Sequence, residues 1–133
     1  VLGLAALTAL GVGATLLLFP VEFRKSYELG TELSAGALSE VRAPGGALIA
    51  LGLWMGACCR GAVASRVLGL QLAAAAYLGY GLARLLGLAL DGVPPQGLLA
   101  ASLFELVVGA SAAALAVLLR ADARGGLTAQ RMG

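Results

Sequence analysis

Residues 62–119 read AVASRVLGLQLAAAAYLGYGLARLLGLALDGVPPQGLLAASLFELVVGASAAALAVLL. Two apolar runs, Ala62 to Leu90 and Gln96 to Leu119, are broken once by Asp91-Gly92-Val93-Pro94-Pro95. A helix cannot easily continue through Asp-Gly followed by two prolines, so the break is a turn. At 1.5 Å per residue, about 20 apolar residues cross a hydrocarbon core of roughly 30 Å. Each run is long enough, and the short turn makes the two helices antiparallel. The first run exceeds what a bilayer needs, so it tilts or extends past the interface.

Two more apolar runs lie upstream. Leu2 to Phe19 ends at Pro20, which disrupts a helix it would have to continue. This run lacks a basic leader and a small-residue cleavage site, so it is expected to be a retained helix. Pro44 to Cys59 forms the other, with Pro44 expected in the first turn, where a missing N–H costs nothing. Between them, Val21 to Arg42 holds most of the charge: Glu22, Arg24, Lys25, Glu28, Glu32, Glu40 and Arg42. Tyr27, Leu29, Leu33, Leu38 and Val41 are spaced for a short interfacial helix. The expected fold is therefore all-α, an integral membrane four-helix up-down bundle over residues 1–120. Residues 121–133 follow as a flexible tail.

Composition agrees with this reading. Of 133 residues, 60% are hydrophobic and 12% charged, and the mean hydropathy is +0.95. A soluble domain has roughly 25% charged residues and could not hide this much apolar surface in one core. A net charge of +2, without a basic stripe, gives no reason to expect a nucleic-acid partner. The absence of histidine removes the commonest metal ligand and pH switch, so no metal and no cofactor are expected. Cys58 and Cys59 are adjacent, a spacing that rarely meets disulfide geometry. They are expected to pack as small apolar side chains, with a vicinal thiol site as the alternative.

Small residues recur at packing intervals, at Gly52 and Gly56, Gly69 and Ala73, and Gly109 and Ala113, while the adjacent Gly45 and Gly46 let another backbone approach closely. In lipid, close backbone approach at such positions supplies helix contact. These pairs are expected inside the bundle, with a homodimer seam as the alternative. Five basic residues (Arg60, Arg66, Arg120, Arg124, Arg131) fall on one side and three (Arg24, Lys25, Arg42) on the other. That count puts both termini in the cytoplasm of an inner-membrane protein.

Two charges lie well inside apolar helices, Arg84 and Glu105. Ionisable residues at membrane depth are costly and need partners. Counting 1.5 Å per residue from the turn puts Arg84 about 9 Å and Glu105 about 13 Å inward, a difference an arginine side chain spans. An Arg84–Glu105 pair is the natural inference. Tyr77, Tyr80 and Arg84 share one face of their helix at helical spacing. Ala101, Ser102, Gly109 and Ala112 share the face of Glu105. Glu40, Arg42 and Asp91 belong to the same membrane side, so a cluster of Glu40, Arg42, Arg84, Asp91 and Glu105 near the outer leaflet is expected. Such a cluster fixes helix register, binds a ligand or lipid headgroup, or serves proton or ion passage.

Leu18-Phe19-Pro20, Ser39-Glu40-Val41-Arg42-Ala43 with Gly45-Gly46, Gly81 to Arg84, Asp91-Gly92-Val93-Pro94 and Phe104-Glu105 stand in a recognisable order. By these motifs the chain resembles the small bacterial inner-membrane proteins grouped as domain of unknown function 4345, from about Leu2 to Leu119. In that family a tyrosine often precedes the paired glycines, where Pro44 stands in this chain. The resemblance implies four membrane helices and no assigned activity.

The function expected from the residues is non-enzymatic: binding of a small molecule or lipid, or service as an accessory subunit of a membrane assembly. The bilayer is the partner, with a homodimer or larger complex as a further expectation. One alternative is a membrane-embedded enzyme using Glu105 as acid or base, with Arg84 holding an anionic substrate. Against it, no nucleophile lies beside a base and no phosphate-binding glycine motif is present. The other alternative is a small transporter, although the two halves share no repeat of the kind such folds use.

Overall fold

The computed structural model describes the backbone at residues 1–27, 29–30 and 34–132, with side chains described as far as Ala123. Five helices carry the chain: α1 (Leu2–Leu18), α2 (Pro20–Ser26), α3 (Ala35–Cys59), α4 (Val63–Asp91) and α5 (Gln96–Met132). Among the described residues there is no β-strand. The expectation of a flexible tail falls largely on residues whose side chains lie outside the described ones.

Three segments are long and apolar enough to cross a membrane: Ala35–Cys59, Val63–Asp91 and Gln96–Ala123. Only 22–28% of their most apolar windows is buried inside the molecule. Leu53, Trp54, Leu82, Leu86, Leu103 and Val117 point outward, an exterior suited to hydrocarbon rather than water. α1, with 17 residues, is only about 25 Å long at the α-helical rise. At Phe19 the chain turns, and α2 leaves at 113° to α1. Pro20 causes the break. It cannot donate to α1, yet its fixed φ suits the first position of α2.

Two sequence expectations are corrected here. The short helix lies at Pro20–Ser26, earlier than the Tyr27–Val41 spacing placed it, while Leu38 and Val41 already belong to α3. α3 begins at Ala35 and not at Pro44, because the Ser34 side chain caps it by accepting from the Ala37 N–H at 3.2 Å. Pro44 thus sits inside α3, where it removes the N–H that would have met the Glu40 carbonyl. Leu29 and Gly30, just after α2, are held by Arg24, which donates to the Gly30 carbonyl at 3.2 Å and to the Leu29 carbonyl.

The helices pack as two close pairs, α1 with α3 and α4 with α5, joined mainly along α3 and α4. Backbone proximity at glycine sets both pairs. A β-carbon on Gly13 would lie 2.7 Å from the Gly45 carbonyl oxygen, and one on Gly52 would lie 2.7 Å from Leu10 Cγ. On the other pair, a β-carbon on Gly109 would lie 2.8 Å from the Leu78 nitrogen. These contacts match low numbers with high ones, so each pair runs antiparallel. Gly52 and Gly45 thus lie in a seam, but Gly56 and Gly46 face open space. The core is small-residue rich (Ala5, Ala6, Ala9, Ala73 and Ala112), with Met55 its largest fully buried side chain. Cys58 packs against Gly69, and both cysteines are free thiols.

Candidate functional site

Because each pair is antiparallel, the C-terminal end of α1, all of α2, the start of α3 and the α4–α5 turn gather at one end of the molecule. α1 and α5 do not pack along one another. The space between them is a cavity of about 560 Å³ to which all five helices contribute. Its walls are largely apolar, with Val12 and Leu16 from α1, Leu48 from α3, and Ala101 and Phe104 from α5. α2 lies across the end, contributing Phe23 and reaching Tyr27 just beyond it, whose rings stand 5.0 Å apart. Tyr27 closes onto the start of α5, where a β-carbon on Gly97 would lie 3.1 Å from its ring.

One wall is polar. Arg84 Nε donates to Glu105 Oε2 at 2.9 Å and to Oε1 at 3.2 Å. It is the one ion pair among the described residues. The side chain of Glu105 is 13% exposed and that of Arg84 33%, so Arg84 carries the accessible end of the pair. Close approach of α4 and α5 at Gly81 and Gly109 brings the two backbones near enough for the contact. Buried Ser102, one turn before Glu105, donates to the Leu98 carbonyl at 2.8 Å and so satisfies its own hydroxyl. Tyr77 is buried and donates to the Ala5 carbonyl at 2.7 Å, tying α4 to α1 at the back of the cavity. Its ring meets Phe104 edge-on at 6.3 Å. Tyr80, 41% exposed, lines the opening one turn before Arg84.

Of the seven residues singled out from sequence, Tyr77, Tyr80, Arg84 and Glu105 therefore surround one cavity. Asp91 does not reach the pair. It lies across a smaller cavity of about 200 Å³ that shares only Arg84 with the larger one. Glu40 is exposed on α3 and lines neither cavity. Arg42 turns away to donate to the Leu17 carbonyl at 3.1 Å, satisfying the end of α1. Both residues sit in the first turns of an α3 that starts earlier than the Pro44 reading allowed, which changes the face they occupy.

The sequence reading missed Thr8, Phe23, Pro44 and Phe104 as lining residues. Phe23 and Tyr27, four apart directly after Pro20, carried a local signal for a helix with one aromatic face. Thr8 carried none, being an ordinary member of an apolar run, and Phe104 stood out only as the neighbour of Glu105 in the Phe104-Glu105 motif. Among the described residues, no group of acidic and cysteine side chains is placed to hold a metal ion.

A family model described as domain of unknown function (DUF4345) matches residues 1–116. The chain belongs to that family. No curated protein and no solved structure matches it.

Proposed function

We propose, with membership of this family as the premise, that the protein is an integral membrane four-helix up-down bundle that binds a lipophilic small molecule or lipid. In this reading α1 is the fourth membrane segment, with α2 lying in the interface at its end. The observation that carries the proposal is the cavity of about 560 Å³ between α1 and α5, largely apolar, with the Arg84–Glu105 pair and a few hydroxyls on its walls. Cavities of roughly 300–1,000 Å³ with a few convergent polar groups are the usual form of small-molecule sites. A salt bridge serving only to fix register would need no such space beside it.

The role is non-enzymatic. Arg84 Nε engages both oxygens of Glu105, which suits a fixed anchor better than a carboxylate that must give and take a proton. The lipid bilayer is the partner this reading requires, and the same cavity serves whether the protein acts alone or as an accessory subunit. The basic residues of the sequence orient it in the inner membrane with both termini cytoplasmic. The cavity end, with α2 and the α4–α5 turn, then faces the outer leaflet.

Native mass spectrometry of the protein extracted from its own membranes tests the reading. Intact protein should carry a discrete small lipophilic adduct. Ala101→Phe, which fills the cavity, should carry none while melting within a few degrees of the parent. Bare protein in both samples, or the same adduct in both, would refute binding in this cavity.

A further inference from the structure

We infer that the occupant of the α1–α5 cavity is an uncharged lipophile whose head presents an acceptor oxygen, such as a carbonyl, to Arg84 and Tyr80. The inference rests on the binding reading above and adds the chemical class of the ligand.

Charge is the first consideration. Arg84 and Glu105 neutralise one another at 2.9 Å, and no other charged side chain lines the cavity among the described residues. A carboxylate, phosphate or ammonium head would enter a site with zero net charge and leave an unpaired charge in a medium of low dielectric constant. That penalty is severe away from water. An uncharged head avoids it.

The second consideration is the balance of donors and acceptors. Arg84 spends only Nε on Glu105. A guanidinium has five N–H donors, so the two terminal nitrogens keep four. Among the described residues these nitrogens and the Tyr80 hydroxyl have no protein acceptor. Of the other hydroxyls that line the cavity, Tyr77 is committed to the Ala5 carbonyl and Thr8 to the Leu4 carbonyl at 2.9 Å, while Tyr27 adds a hydroxyl at the α2 end. Arg84 borders both this cavity and the smaller one beside Asp91, so part of its guanidinium and the Tyr80 hydroxyl give this wall donors without an acceptor. Donors facing hydrocarbon are costly unless a partner accepts from them. A carbonyl oxygen does so without bringing charge, and its apolar body fills the space lined by Val12, Leu16, Leu48 and Phe104.

Three probes of matched chain length separate the possibilities: methyl laurate (uncharged ester), laurate (its anion) and dodecane (no head). Binding to the purified full chain is measured by native mass spectrometry. The infrared carbonyl stretch of the isotope-labelled ester is recorded on the same samples. The ester is expected to bind at least tenfold tighter than either of the others, with its carbonyl stretch moved to lower wavenumber. Tyr80→Phe removes one donor from an exposed position without touching the core. It should weaken ester binding roughly three- to tenfold and leave dodecane unchanged, as loss of one neutral hydrogen bond implies. Laurate binding as tightly as the ester or tighter would overturn the inference in favour of an anion site. Equal binding of all three, or an ester preference untouched by Tyr80→Phe, would overturn it while leaving cavity binding intact. Failure of all three to bind would remove both readings.

Discussion

Replacing Arg84 with Met, Glu105 with Gln, and both together measures whether the two charges act as a unit. Arg84→Met leaves a carboxylate that is 13% exposed without its counter-charge. Removing one partner of a buried pair costs about 3–5 kcal/mol in soluble proteins, and the partial exposure of Arg84 points to about 3 kcal/mol. Glu105→Gln is milder, because the amide oxygen can still accept from Nε and Arg84 is the more exposed partner, so about 1 kcal/mol is expected. The double variant has no charge to strand and should cost about 2 kcal/mol, for a coupling of about 2 kcal/mol. That exceeds the average of about 0.6 kcal/mol measured for polar pairs in a membrane helix bundle. The excess reflects the charge on both members. Reversible unfolding in mixed micelles is a suitable assay. Additivity within about 0.5 kcal/mol would refute the claim that the pair is a single energetic unit.

Other perturbations probe the frame around the pair. Gly52→Leu should destabilise by about 1–3 kcal/mol or more from overpacking, because the new side chain meets Leu10 and the Ala6 carbonyl. Gly56→Leu should stay within about 0.5 kcal/mol of the parent, since it faces open space; thermal melts of the two in one detergent decide this. Tyr77→Phe should cost about 1 kcal/mol for the buried bond to Ala5, read by the same melts. Topology is tested by single cysteines in a Cys58→Ser/Cys59→Ser background. Gly30→Cys and Val93→Cys should label from one side, and Val1→Cys and Ala62→Cys from the other. Labelling of Val1→Cys from the Gly30 side would mean that α1 does not cross.

Much of the fold was legible because helices long and apolar enough to cross a membrane announce themselves in sequence, as α4 and α5 do on either side of Asp91–Pro95. The Arg84–Glu105 contact was legible for a related reason. Charge inside an apolar run must find a partner, and a tight turn lets depth be counted from both sides. Facing is harder to read. Gly52 and Gly56 differ by 40° around α3 on an ideal helix, and that difference takes one into the seam and the other out of it. Glu40 and Arg42 were misplaced because Pro44 looked like a helix start. The Ser34 cap lies nine residues before Ala43, and between them only Gly36, in the first turn, weighs against a helix. The 113° angle at Pro20 depends on how the chain turns back, which hydropathy does not encode, although Pro20 itself marks the break and Phe23 and Tyr27 mark the aromatic face. The cavity itself is a property of two helix pairs joined along α3 and α4, and no single segment contains it.

The most direct measurement of what the cavity holds is a set of intermolecular nuclear Overhauser effects on the protein in particles of its native lipids. Protons of Ala101, Phe104 and Tyr80 report from inside the cavity, and those of Leu53 and Trp54 from the outer surface. With a lipophile bound, the cavity protons should show cross-peaks to one set of aliphatic protons that persists after exchange into a different bulk lipid, while the surface protons follow the new lipid. Cross-peaks from the cavity protons to water alone, or to whichever bulk lipid is present, would contradict a site built around Arg84 and Glu105.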